Sequence, residues 1–357
     1  MNPVSSRTAG PDDAERVRLG AAEATALSLA VLRGFGYPAD DATLIARHVL
    51  DAALCGYEYS GLPKLLNVGE QLAAHPVAGP IATCHETLAS ARFDGNEHNG
   101  MVAVDRITDV AIAKARLAGF AVVGVNRTWM SGRSAYYVER IARAGLVGLH
   151  TVGSVALAAP PGAARKALGT NPIAFGFPTA GEPLLIDIGL SALMVTDLRL
   201  RARRGERLPE GTAIDAAGRP TRDPVAALAG AVLLFGGHKG FALALAMQVM
   251  GVLGGAGEAD DGAGYVVIAF QPELMLPLER FRQQVSRMIA ELKATPRQPG
   301  VDSIRIPSER ALAERCRAER DGIEIDRAVH ERLRLLAAAE PPGTRLPASW
   351  PAAAAGR

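Results

Sequence analysis

Cysteine is scarce and forms no pattern: Cys55, Cys84 and Cys316 are odd in number, far apart and outside any CxxC spacing. That excludes a disulfide framework and a thiolate zinc site, and it suits a reducing compartment, so the expected location is the cytoplasm. An excess of either charge is missing too. Lys and Arg (39) exceed Asp and Glu (37) by two, and the basic residues are scattered along the chain. The electrostatic footprint of a nucleic-acid binder is therefore absent. The start, "MNPVSSRTAGPDDAERVRLG", has no apolar run behind its charges, so it is no secretory signal and residues 1–17 read as a flexible leader. The most apolar stretch, "GAVLLFGGHKGFALALAMQVMGVLGG", is cut by His238 and Lys239. Neither half reaches the roughly 20 uninterrupted residues of a membrane span, and the stretch is expected to be a buried helix.

Several nucleotide and hydrolase motifs are lacking as well. No GxGxxG follows a strand, and no GxxxxGK precedes Ser or Thr, so a standard Rossmann or phosphate-loop reading has no motif behind it. HExxH and GxSxG are also absent, which argues against a zinc peptidase and a serine hydrolase.

What the 357 residues do contain is enough apolar sequence for one large α/β domain or two lobes. Helical spacing of apolar positions predicts helices over 21–33 and 40–54, the second capped by Asp40 and Asp41 after Pro38. Further helices are predicted over 101–117, 134–144 and 279–293. The runs "FAVVGVN", "LVGLHTV", "PIAFGFP", "PLLIDIG" and "YVVIAF" are bounded by Gly and Pro in the manner of core strands. The class is α/β or α+β. "RLPEGTAIDAAGRPTRDP" reads as a surface loop, and the Pro- and Ala-rich residues 339–357 as a disordered tail.

Three glycine-punctuated turns stand at element boundaries: "TWMSGRS" (128–134), "LGTNP" (168–172) and "FGGHKG" (235–240). The first precedes a helix, so its backbone N–H groups with Ser131, Arg133 and Ser134 either surround a phosphate or form a capped helix start with a surface arginine. In the third, two glycines allow close backbone approach to a ligand and Lys239 offers a point charge; a tight turn with a solvated lysine has the same pattern. "GTNP" either sets Thr170 and Asn171 against a polar ligand or is an ordinary Asn-Pro turn.

In this order and at these separations the turns resemble the malate/L-lactate dehydrogenase-type oxidoreductases that lack a Rossmann fold. That group includes sulfolactate dehydrogenase, ureidoglycolate dehydrogenase, diketogulonate reductase and Δ1-piperideine-2-carboxylate reductase. The resemblance runs from about residue 18 to about 338, strongest in "PPGAARKALGTNPIAFGFP", "LLIDIGLSAL" and "LPEGTAIDAAGRPTRDPVAALAGAVLLFGGHKGFALAL". It implies an unusual NAD(P)-binding α/β fold over 18–338, with a helical lobe (18–117 and 276–338) and a cofactor lobe (118–275). It also implies a homodimer and reversible hydride transfer between nicotinamide and a small 2-oxo or 2-imino carboxylate.

Carried over by position, the cofactor would be held by Met130, Ser131, Gly132, Arg133 and Ser134, by Asp187, Ile188 and Gly189, and by His238 and Lys239. Thr170 would touch substrate, and Arg305 in "SIRIPSER" resembles the family's Arg-x-Pro stretch near the cofactor. Arg133 is a hint toward a 2′-phosphate, tilting the expectation slightly to NADP over NAD.

The catalytic loop departs from the family. Where the family reads Ser-His-Gly, with the His as proton donor and an Arg four residues on for the substrate carboxylate, "CGYEYSGLPKLL" places Tyr59, Ser60 and Lys64. The distant Asp of the family matches Asp197. Loss of a general acid costs about 100- to 10,000-fold in rate when a ketone is reduced. Three resolutions are open. Tyr59, its phenol made more acidic by the ammonium of Lys64, is the donor; or the substrate is an imine already protonated as an iminium; or the protein retains cofactor binding alone, with a binding or regulatory role. Lys64 still offers a carboxylate a point charge, without the two-point geometry of an arginine. Of the histidines, His48 reads as a core residue on a helical stripe, and His98 and His150 fall on no catalytic position of the family.

Overall fold

A computed structural model of the protein describes residues 16–258, 262–339 and 346–350. The chain begins with β1 (Arg16–Leu19), α1 (Ala21–Gly34), α2 (Ala39–Leu54), a 3-10 turn (Glu58–Ser60) and α3 (Lys64–Ala74). Next come β2 (Ala82–Glu86), β3 (Ser90–Asn99), α4 (Gly100–Ala118), β4 (Phe120–Trp129), α5 (Ser134–Arg143) and β5 (Val147–Gly153). They are followed by β6 (Ala158–Ala159), β7 (Ile173–Phe177), β8 (Leu184–Ile188), α6 (Val195–Arg204), β9 (Ala213–Ile214) and α7 (Pro224–Ala229). The rest is β10 (Ala231–Leu233), α8 (His238–Leu253), β11 (Gly264–Phe270), α9 (Leu278–Ala294), α10 (Glu309–Asp321), β12 (Ile323–Asp326) and α11 (Arg327–Ala338). The helices expected from apolar spacing are present to within a residue or two. Asp40 and Asp41 sit inside the first turn of α2 rather than at its N-cap, which is Pro38. There their charges favour the positive end of the helix dipole.

Among the described residues, those up to Glu70 and from Ala311 to Leu346 form one compact unit, and those from Gln71 to Arg310 with those after Leu346 form another. In the first, β1 pairs antiparallel with β12, Arg16 opposite Asp326 and Leu19 opposite Ile323, and α1 packs against α2 and α11. Arg16 and Val17 thus belong to a strand, while residues 1–15 of the expected leader lie outside the described residues.

The second unit is built on a seven-stranded sheet of order β2-β3-β4-β11-β5-β7-β8. Only β3 and β4 are parallel; every other pairing in this sheet is antiparallel. The helical lobe expected as far as residue 117 therefore stops at Glu70, because β3 pairs along β4 and α4 turns Ala103, Ile107, Ala111 and Ala115 onto the sheet. The helix α9 likewise belongs to the second unit. In a small sheet of order β6-β10-β9, the strand β9 comes from "RLPEGTAIDAAGRPTRDP", so that loop is partly ordered into strand.

Helices α4 and α5 cover one face of the large sheet, and α8 packs against β5 and β11. Glycines let α8 lie flush: a Cβ on Gly251 would stand 2.5 Å from the Cα of Gly153. That is closer than real side chains approach. The expectation of a buried helix is corrected here, because Leu245, Val249, Val252 and Leu253 of α8 are exposed. The expected tail is corrected as well. Ser349 accepts the N–H of Ile81 at 2.8 Å, and the Trp350 ring stands 5.4 Å from that of Phe93. An indole placed on the sheet's core holds this segment; residues 340–345 and 351–357 lie outside the described residues.

Candidate active site

Strand β8 is where the separate sequence signals meet. Its last residues and the following turn, Asp187 to Leu190, are tied by hydrogen bonds to three other stretches. The Leu190 N–H donates to the Thr170 carbonyl at 3.2 Å, and the Leu190 carbonyl accepts the N–H of Phe235 at 3.1 Å. The Asp187 Oδ2 accepts the N–H of Ala135 at 2.8 Å. The "LGTNP" and "FGGHKG" turns, and the residue that follows "TWMSGRS", are thus fastened to one strand end.

Cross-strand register explains how. Val267, His150, Ala174 and Asp187 stand directly opposite one another on β11, β5, β7 and β8. Opposed residues share a face, so all four point toward the α5 side. His150 is fully buried against the Tyr137 ring, centroids 5.1 Å apart. Burial lowers its pKa to about 3. His150 is therefore a neutral core residue within β5, not a proton donor.

The turn Met130–Ser134 is held in a strained form, with Met130 at φ 57° and Gly132 at φ 77°. Its Ser131 carbonyl accepts the Tyr137 hydroxyl, and Ser131, Arg133 and Ser134 are all buried. Of the two readings of this helix start, the capped one has a partner in the structure: Asp187 occupies the first turn of α5, where an added anion would meet a second anion. Crowding by protein raises the Asp187 pKa, opposed by the Ala135 N–H and by the charge of Arg133. The residue as a whole is nevertheless exposed.

The start of α8 is the open one. Gly236 (φ 63°) and Gly237 (φ 59°) both adopt the left-handed conformation that only glycine takes readily. Among the described residues no side chain caps the helix, and His238 and Lys239 are exposed in its first turn. Uncapped N–H groups, the helix dipole and an ammonium suit the phosphates of a dinucleotide. The residues present at this helix end fit the phosphates of a nicotinamide cofactor.

Thr170 is partly buried, and among the described residues its side chain makes no hydrogen bond. Asn171 instead turns inward, fully buried, its Oδ1 accepting the Ser154 N–H at 3.0 Å. Ile188 packs on the α8 side with Ile173 and Leu190, and Gly189 approaches the Met194 sulfur. Asp197 lies in the first turn of α6, bonded to Arg201 Nε at 3.0 Å. Arg305 is exposed ahead of α10 and forms no hydrogen bond or ion pair among the described residues.

In the first unit, Tyr59 and Ser60 form the 3-10 turn and Lys64 opens α3. The Ser60 N–H donates to the Tyr57 carbonyl at 3.0 Å and the Lys64 N–H to the Gly61 carbonyl at 2.9 Å, so the loop reverses twice in eight residues. Gly61 is pressed on Ala53, where a Cβ would come within 2.8 Å of the Ala53 Cβ. Ser60 and Lys64 are buried, and the Tyr59 ring packs edge-on against Tyr57.

Sequence reasoning missed Gln248, whose Oε1 accepts the Gly169 N–H at 3.0 Å and the Asn171 Nδ2 at 2.9 Å. One signal was there to find: Gln248 is the lone polar side chain in the apolar run "GFALALAMQVMGVL".

Among known proteins, the sequence pattern of the malate/L-lactate dehydrogenase family matches residues 19–334. The L-sulfolactate dehydrogenase of Methanothermobacter thermautotrophicus is 31% identical over 331 residues, covering 89% of this chain and 95% of that protein. The Δ1-pyrroline-2-carboxylate/Δ1-piperideine-2-carboxylate reductase of Pseudomonas putida is 30% identical, covering 88% and 95%. The crystal structure of a dehydrogenase from Sinorhizobium meliloti superposes with a TM-score of 0.84 at 30% identity, covering 90% of this chain and 98% of that one.

Proposed function

The chain belongs to the malate/L-lactate dehydrogenase family, and from that premise we propose that it reduces small 2-imino or 2-oxo carboxylates with NAD(P)H. It is an oxidoreductase with a nicotinamide cofactor. The observation that carries the reading is the joining of Thr170, Asp187, Leu190 and Phe235 at one strand end, beside the open N-terminus of α8.

His238 and Lys239 hold cofactor phosphates at that helix end, and Ile188 and Gly189 line the strand end beside them. Bound dihydronicotinamide supplies the hydride. Thr170 offers the substrate a hydroxyl, and the resemblance assigns to Lys64 the family's carboxylate-binding position, filled here by a point charge. A protonated imine takes hydride at C2 and becomes an amine with no further proton, whereas a 2-oxo acid becomes an alkoxide that requires one. With Ser60 at the family's histidine position, the imine route fits this loop best, and Tyr59 is the donor for any 2-oxo acid turned over. Asp197, which the resemblance assigns to orienting the missing histidine, has Arg201 as its partner and no proton to steer.

The preference for NADPH over NADH rests on Arg133 alone. That guanidinium is buried and its charge acts on Asp187, so we expect discrimination of less than about 10-fold, or about 1.4 kcal/mol. The protein acts in the cytoplasm as a homodimer. Leu245, Val249, Val252 and Leu253 recur at helical spacing on an exposed face of α8, an apolar stripe suited to a second copy.

Fluorescence titration with NADH and NADPH, followed by absorbance assays over a panel of 2-oxo and cyclic 2-imino acids, tests the reading. Cofactor binding with turnover is expected. Binding without turnover on any member would favour a cofactor-binding homologue with a regulatory role, and absence of binding would refute both.

A further inference from the structure

We infer that Gln248 is a positioning residue for the substrate turn, holding Thr170 in register with the cofactor end of α8; this rests on the function proposed above. The helix α8 is apolar apart from its first turn and this one amide. An amide in such a helix is costly unless its groups are bonded, and here they are. Gln248 Oε1 accepts from Gly169 N at 3.0 Å and from Asn171 Nδ2 at 2.9 Å, the two residues that flank Thr170. Asn171 Nδ2 also donates to the Ala244 carbonyl, one turn earlier in α8, at 2.9 Å. Gln248 Nε2 reaches the Ser154 carbonyl at 3.4 Å, at the end of β5.

The turn has little freedom to find other partners. A Cβ on Gly169 would stand 2.1 Å from Ser154 Oγ and 2.3 Å from Asn171 Oδ1, so only glycine fits. Asn171 sits at φ 38°, a left-handed conformation that its buried side-chain bonds sustain. The Thr170 carbonyl is fixed by Leu190 N. What the tied turn leaves over is the Thr170 side chain, without a hydrogen bond among the described residues. The amide of Gln248 lies nine residues beyond Lys239 on the same helix, so one rigid element carries both the cofactor end and the grip on the substrate turn. Substrate affinity depends on Gln248 although its bonds all go to protein.

The test compares Gln248→Met, similar in length but with no acceptor, with Gln248→Glu, which keeps an acceptor for both donors and gives up only the long 3.4 Å bond to the Ser154 carbonyl. For wild type and both variants, kcat and KM are measured on a substrate that the wild type reduces, with cofactor Kd by fluorescence and the melting curve. Gln248→Met should raise substrate KM about 10-fold or more while cofactor Kd stays within about 2-fold, the pattern of lost substrate binding. Gln248→Glu should bring KM back to within about 3-fold of wild type. If Gln248→Met does not melt cooperatively, Gln248→Asn, one methylene too short for both donors, is read in its place. An unchanged KM, or KM and cofactor Kd rising together with no recovery in Gln248→Glu, overturns the inference and leaves the functional reading standing. A wild type that reduces nothing in the panel overturns the functional reading and this inference with it.

Discussion

Asp187 and Ala135 are joined by a 2.8 Å hydrogen bond in which a strand's carboxylate caps the first turn of a helix 52 residues earlier in the chain. The bond fastens the Met130–Ser134 turn to the strand end that also holds Thr170 and Phe235. It places a negative charge where the sequence pattern left room for a phosphate.

Replacing Asp187 separates the cap from the charge. Asp187→Ala removes the acceptor of the Ala135 N–H and should cost about 1 kcal/mol, whereas Asp187→Asn keeps an acceptor and should lie within about 0.5 kcal/mol of wild type near pH 5. Because the folded-state pKa of Asp187 is raised above 3.8, its share of stability is complete below that value and is lost as pH rises through the folded value. Asn carries no such loss. Urea unfolding of wild type and Asp187→Asn from pH 4 to 8 should show the variant gaining relative stability as pH rises.

His150 works in the opposite direction. Its folded pKa is lowered from 6.5 to about 3 by burial, and among the described residues neither ring nitrogen has a hydrogen-bond partner. Above pH 6.5 the imidazole is neutral in both states and stability does not depend on it. Below that, the unfolded chain binds the proton and the folded chain does not, so stability falls by about 1.4 kcal/mol per pH unit toward pH 3. His150→Met, of similar size and without nitrogens to satisfy, should lie within about 1 kcal/mol of wild type at pH 7. The difference between the two unfolding curves should carry the acid slope.

These relationships show where sequence reading works and where it stops. The apolar positions of α4 and the bounded run of β5 announce themselves by local period. So do the glycine turns that precede α5 and α8. The capping of Ala135 by Asp187 leaves no local trace, since nothing at position 135 encodes a partner 52 residues away. An apolar run such as that of α8 reads alike whether both faces are buried or one is left for a partner. Trp350 was a single aromatic in a Pro- and Ala-rich stretch, too little pattern to reveal docking on Phe93. Tyr59, Ser60 and Lys64 were found only as departures from a resemblance, because the loop has no period of its own.

The exposed stripe on α8 leads to a direct test of assembly. Val249→Glu places a carboxylate in the middle of Leu245, Val252 and Leu253. Burying that charge against a second copy is unfavourable by several kcal/mol, so sedimentation velocity should show a dimer for wild type and a monomer for the variant. A dimer for both would move the interface to another face.

The most direct test of the central claim is the pH dependence of NAD(P)H oxidation by the wild-type protein on two matched substrates, Δ1-piperideine-2-carboxylate and pyruvate. Turnover of the imine should be faster, with a rate that falls as the imine loses its proton, because the substrate brings the proton that Ser60 does not supply. Pyruvate turned over as fast or faster, or neither substrate turned over while cofactor is bound, would contradict it.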